Sequence, residues 1–131
     1  MEKILTLLRS LAEERIVSSG ERLYEDGATP GGAYFLISGR VRLLVHASCG
    51  KTLITRVVRP GDFFGVGPLF SGKPYEGSAE PLELSRVGFI PKRALFELIQ
   101  REPEARLPIL SILSEDLNGC QAFIRLAGTA A

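Results

Sequence analysis

Residues 59–79 read RPGDFFGVGPLFSGKPYEGSA, and the order of turns and apolar residues in this stretch decides the fold. Pro60-Gly61 makes a tight corner, because Pro presets φ and Gly accepts the positive φ that corners require. A short strand at 62–64 follows. Gly65, Gly67 and Pro68 interrupt it around Val66. Leu69 and Phe70 supply two apolar anchors, and Ser71-Gly72-Lys73-Pro74 turns again before Gly77-Ser78-Ala79. Glycines let the backbone approach a ligand closely, and N–H groups exposed in a short turn bind anions. The stretch therefore reads either as a loop that cradles a phosphate inside an all-β domain, or as a barrel corner that needs small residues.

The same rhythm continues outward. Apolar runs at 15–17, 22–24, 33–37, 41–46, 52–58, 62–64, 77–80 and 83–90 are separated by turns such as Ser18-Ser19-Gly20, Asp26-Gly27, Ser38-Gly39 and Ser48-Cys49-Gly50. Runs spaced in this way predict an all-β sandwich or barrel. The ends differ. Ile4, Leu5, Leu7, Leu8 and Leu11 recur at helical spacing and predict an amphipathic N-terminal helix. Pro91 suits a first helical position, and Ala94, Leu95, Leu98 and Ile99 form an apolar stripe over 92–102. Glu102-Pro103-Glu104 ends that helix.

A last helix is expected over 106–126. Within it Leu110, Leu113, Leu117, Cys120 and Ile124 step by three and four, the rhythm of a coiled-coil seam. The stripe reads either as a dimer seam or as a helix lying on its own barrel. The organisation expected is one unit over 1–105, the long helix over 106–126, and a tail at 127–131.

Composition removes several function classes. The chain has 131 residues, 45% hydrophobic and 24% charged, which is ordinary globular usage and argues against disorder. Sixteen basic residues nearly cancel 15 acidic ones, giving a net charge of +1. The basic excess of a nucleic-acid-binding domain is missing. The longest uncharged run, 27–39, holds Pro30 and several glycines and cannot span a membrane. Met1-Glu2-Lys3-Ile4 does not open a signal peptide, so a cytoplasmic location is expected.

Cys49 and Cys120 are far apart and too few for a cysteine-held zinc or iron–sulfur site, so reduced thiols are expected. His46 is the only histidine and ends a run. No G-x-S-x-G turn and no P-loop sequence occurs, and Gly65-Val66-Gly67 meets Phe70 where a G-x-G-x-x-G needs its third glycine. The chain reads as a non-enzyme with no metal and no cofactor.

Several motifs together resemble the cyclic-nucleotide-binding domain of the CRP/FNR (catabolite activator protein) regulator family. They are Arg22-Leu23-Tyr24-Glu25-Asp26-Gly27, the run from Ala33 to Leu43 around Ser38-Gly39, Pro60-Gly61-Asp62-Phe63-Phe64-Gly65 with Leu69-Phe70, and Phe89-Ile90-Pro91 leading into Ala94-Leu95-Phe96-Glu97-Leu98-Ile99. The resemblance covers nearly the whole chain. It implies a mainly β fold with flanking helices: an eight-stranded β-roll, an N-terminal helix, a phosphate-binding cassette and a C-terminal dimerisation helix. It also implies a homodimer, a small-molecule effector, and contact with DNA only through a helix-turn-helix domain that is absent from this chain.

The cassette departs from the family's pattern. Nucleotide binders there carry Gly-Glu followed, after the loop, by Arg-Ser/Thr-Ala. By that resemblance the Glu that meets the ribose corresponds to Val66, and the Arg that meets the cyclic phosphate corresponds to Gly77; Ser78 and Ala79 remain. The loop between Phe70 and Ser78 is also slightly longer. Truncating one side of a buried charge pair costs about 2–5 kcal/mol, and a hydrogen bond to a charged group about 1.5–3 kcal/mol more. Weak or absent binding of cAMP and cGMP follows as the expectation. The cassette residues expected to line the ligand site are Gly65, Val66, Gly67, Pro68, Leu69, Gly77, Ser78 and Ala79, with Gln121 reaching it from the long helix. Lys73 and Glu76 are the substitutes within reach of a phosphate and a ribose. The alternative is an interaction and dimerisation module that binds no ligand.

Overall fold

The computed structural model describes residues 2–114. Helix α1 (Glu2–Ser10) leads into β1 (Glu13–Val17), β2 (Gly32–Ser38), β3 (Val41–His46), β4 (Thr52–Val58) and β5 (Phe63–Phe64). A short helix α2 (Gly67–Ser71), strands β6 (Ser78–Pro81) and β7 (Ser85–Pro91), and helix α3 (Lys92–Arg101) follow. A 3-10 turn, Pro103–Ala105, leads into helix at 106–114. The strands form two antiparallel sheets, one in the order β1-β7-β2-β5 and the other β4-β3-β6.

The first sheet is covered on both faces, and its sequence shows why. β2 reads GAYFLIS and is buried without a break from Gly32 to Leu36. Continuous apolar runs belong to strands packed on two sides, whereas a strand with one wet face alternates. Tyr34 and Leu36 face the second sheet, in a core with Val41, Leu43, Val58, Phe64, Ala79 and Val87. Ala33 and Phe35 face the helices, in a second core built from Ile4 and Leu8 of α1, Leu95 and Leu98 of α3, and Ala105 and Ile109 beyond it.

β5 divides its two rings between these cores: Phe64 lies 5.4 Å from Tyr34 and Phe63 lies 5.6 Å from Phe35. Burying each such ring is worth about 1.5–3 kcal/mol. This strand therefore pins both layers just before the glycine-rich stretch begins. β1, an edge strand, is exposed along most of its length.

Seven strands stand among the described residues, where eight were expected. The run at 22–24 supplies only an isolated bridge, Tyr24 to Ala79. Leu23 N–H donates to Ala79 O at 2.9 Å and Ala79 N–H to Tyr24 O at 3.1 Å. Two residues past the bridge, Asp26 N–H donates to the Ser78 hydroxyl at 3.0 Å, a side-chain contact in place of backbone pairing. Of the expected long helix, 106–114 is helical. Leu117, Cys120, Gln121 and Ile124 lie outside the described residues, as does the tail at 127–131.

Candidate functional site

The glycine-rich stretch folds over the second sheet and encloses a cavity of about 620 Å³. Gly65 (φ +69°) turns the chain out of β5; a Cβ there would sit 3.3 Å from Cε2 of Tyr24, so only a bare backbone lets that ring close in. Val66 then caps α2, and Pro68 occupies its first turn, where a missing N–H costs nothing. Leu69 anchors the helix in the core beneath α1 and α3. The loop after α2 returns along the cavity rim. It is held by Gly27 N–H donating to Tyr75 O at 2.9 Å and Tyr75 N–H donating to Ala28 O at 3.0 Å. This pairing drives Tyr75 inside, where its ring stacks on Tyr24 with centroids 3.7 Å apart and planes 9° apart.

The opposite wall comes from β3 and β4. The register of β3 with β4 shifts between Leu43 and Leu44, where Thr55 is the extra residue on β4. Leu43, Leu44, Val45 and Thr55 all border the cavity. Leu113, on the helix after the 3-10 turn, closes one side. Phe70 and Pro68 complete the apolar lining.

The electrostatics are sparse. Among the described residues that line the cavity, Lys73 and Glu76 carry the only formal charges, and both are exposed at the rim. Burial pushes the Tyr75 phenol well above its ordinary range, and the neighbouring Tyr34 adds to the rise. Burial likewise raises Tyr34 against the opposing pull of Arg15; its hydroxyl donates to Leu23 O at 3.2 Å. Two guanidinium groups stand close by and share one carboxylate, although the buried Nε of Arg42 has no partner. Arg42 pairs with Glu80 at 2.9 Å, and Arg22 sits 3.6 Å from the same carboxylate while donating to the Ser78 hydroxyl at 3.3 Å.

The expected site residues divide into two groups. Gly65, Gly67, Pro68, Gly77 and Ser78 line the cavity. Val66 and Leu69 face the helical core, and Ala79 is fully buried between the sheets. The turn therefore presents only the backbone of Gly65 and Gly67 to the cavity where a ribose-binding carboxylate was sought. Gly77 is constrained further: at φ +141°, a Cβ would lie 2.5 Å from the Leu44 carbonyl oxygen. No side chain fits there.

Of the expected seam, Leu113 borders the cavity and Leu110 is 56% exposed. Sequence reasoning missed Tyr75, Leu44, Val45 and Phe70 as lining residues. Tyr24 it recorded only within a motif. His46, the one histidine of the chain, is exposed and lies 3.2 Å from the Thr52 hydroxyl through Nδ1. Among the described residues no group of three or more His, Cys, Asp or Glu side chains gathers around a metal position.

Two packed antiparallel sheets, with a one-turn helix and glycine loop bordering a cavity, define a β-roll. Comparison with known proteins agrees. The Cyclic nucleotide-binding domain family matches residues 14–102. The regulatory protein HlyX of Actinobacillus pleuropneumoniae is 27% identical over 126 residues, covering 95% of this chain and 52% of that protein. The c-di-GMP-responsive global regulator CLP of Xanthomonas campestris superposes with a TM-score of 0.85 at 18% identity, over 98% of this chain and 63% of that one. The catabolite activator protein of Thermus thermophilus gives 0.82 at 21% identity, over 98% and 60%. The chain belongs to the cyclic nucleotide-binding domain family, of the CRP/FNR regulator type. It spans about half the length of the curated relatives it matches. No helix among the described residues is long and apolar enough to cross a membrane.

Proposed function

We propose that this domain is the effector-sensing and dimerisation part of a cytoplasmic CRP/FNR-like transcription regulator, and that it does not hold cyclic nucleotides tightly. One observation carries the second half: the cavity has no guanidinium in its described lining, and residue 77 has no room for one. A cyclic phosphate entering it would lose water without gaining a bidentate partner. The sensing half is supported by Leu113, which ties the cavity to the helix at 106–114. An occupant touching Leu113 favours one position of that helix, and so one arrangement of a dimer built on it, by population shift. Leu110, exposed on the same helix, supports a second copy of the chain as the partner.

Thermal unfolding with and without millimolar cAMP, with cGMP and c-di-GMP in parallel, tests the reading. A ligand at about 100 times its Kd adds about 2.7 kcal/mol, a shift of several degrees. The expected result is no such shift with cAMP or cGMP; a shift of several degrees refutes the nucleotide half. A monomer in sedimentation at high micromolar concentration refutes the dimerisation half. The ligand-free alternative, an interaction module, is favoured by the same shortage of charge in the cavity.

A further inference from the structure

Resting on the sensing reading above, we propose that the cavity takes a planar, mostly apolar aromatic molecule bearing a single anionic group, with that group held at Lys73. The size suits it: about 620 Å³ lies inside the range of roughly 300–1,000 Å³ typical of small-ligand sites. The walls suit it as well. Leu44, Val45, Phe70 and Leu113 are apolar, and the stacked pair Tyr24–Tyr75 forms a rigid aromatic side.

The serine and threonine hydroxyls in the lining discriminate further, because each already has a partner within the protein. The Thr55 hydroxyl donates to Leu43 O at 3.3 Å. The Ser78 hydroxyl accepts from Asp26 N–H and from Arg22. The Ser71 hydroxyl donates to Pro68 O and accepts from Lys73 N–H, each at 3.4 Å. A sugar or another hydroxyl-rich ligand would find few of its hydroxyls matched there, a cost that an aromatic ring does not incur. Charge sets the remaining limit. Lys73 is the only cation in the described lining, and Glu76, three residues on, disfavours a second negative group on the ligand.

The test uses the full chain and two related fluorophores, 8-anilinonaphthalene-1-sulfonate and its uncharged relative N-phenyl-1-naphthylamine. Both are expected to bind saturably at one site. The sulfonate is expected to bind about two- to fivefold tighter, the modest gain of a rim-exposed charge. Lys73→Gln and high salt should each erase that preference. Val45→Trp and Leu113→Trp fill the cavity from different elements, so the inference survives the misfolding of either one. Each folded variant should weaken both probes at least tenfold.

Binding that persists unchanged in both tryptophan variants overturns the site. A sulfonate preference unaffected by Lys73→Gln overturns the role of Lys73. Failure of both probes alongside a nucleotide-induced rise in the unfolding midpoint overturns the ligand class and leaves sensing standing. Failure of both probes and of every nucleotide overturns the sensing reading too, in favour of the ligand-free module.

Discussion

Gly77 is the residue whose replacement tests the account of the site most directly. An engineer wishing to restore nucleotide binding would place Arg there. The geometry says that the chain would not tolerate even Ala. At φ +141° an L-residue is strained by about 1–3 kcal/mol. The new Cβ also meets the Leu44 carbonyl oxygen at 2.5 Å and Cγ1 of Val45 at 3.0 Å, and neither the β3 backbone nor a branched strand side chain yields easily. Overpacking of that kind costs about 1–3 kcal/mol more. Gly77→Ala should thus lose about 2–6 kcal/mol, a large share of the roughly 5–15 kcal/mol that holds a domain together. At about 4 °C per kcal/mol for a chain of this size, the midpoint should fall by at least about 8 °C. Gly77→Arg should lose at least as much and gain no affinity for cAMP. Glu76→Arg, exposed at the rim, should stay within about 0.5 kcal/mol of the parent. Urea unfolding of the three variants, with a cAMP titration of each, supplies the comparison. Gly77→Ala within about 0.5 kcal/mol of the parent would refute the reasoning, because the close approach to Leu44 would then be illusory.

Ser78→Ala removes the acceptor that Asp26 N–H and Arg22 share; it should cost about 1–2 kcal/mol in urea unfolding, and a neutral result would mean that water replaces the hydroxyl at no cost. Alkaline pH should weaken the fold through Tyr75, whose folded-state pKa is raised by burial above its ordinary value of 10.0. Above about pH 10 the unfolded chain releases a phenolic proton that the folded chain keeps, so stability falls with rising pH by up to about 1.4 kcal/mol per unit for such a group. Tyr75→Phe should flatten the stability profile above pH 10 and leave it unchanged at neutral pH; an unaltered alkaline slope would assign the loss elsewhere.

The strands were legible because their burial follows simple rules. The unbroken apolar run in β2 and the alternation Val41, Leu43 in β3 place side chains on known faces. α1 and α3 were legible for the same reason at helical spacing. Three features were not legible, each because a local rule was overridden. A single bridge at Tyr24 stands where a full strand was expected, and beyond it the chain is tied by Asp26 N–H to the Ser78 hydroxyl, a contact between residues far apart in sequence. The register shift opposite Leu43 and Leu44 leaves Thr55 as an extra residue of β4 on the cavity wall, and no residue type in β4 announces it. α2 has only five residues, too few to display a stripe, so Val66 and Leu69 read as ligand-facing when its rotation sends them into the core. Pro68 was the one available sign of a helix start there.

The missing cation and the tyrosine stack have a common cause. The loop from Phe70 to Ser78 pairs with Gly27 and Ala28, and this pairing carries Tyr75 inward onto Tyr24. To rejoin β6 with the Ser78 hydroxyl aimed at Asp26, the chain must pass Leu44 at close quarters, and residue 77 takes its positive φ there. A side chain at 77 is excluded by the same path that brings the second ring in. Lys73, outside the paired segment of that loop, is the one cation in the described lining of the cavity. Selectivity in this cavity is accordingly set by the course of the backbone between Gly72 and Ser78 and only secondarily by the side chains that line it.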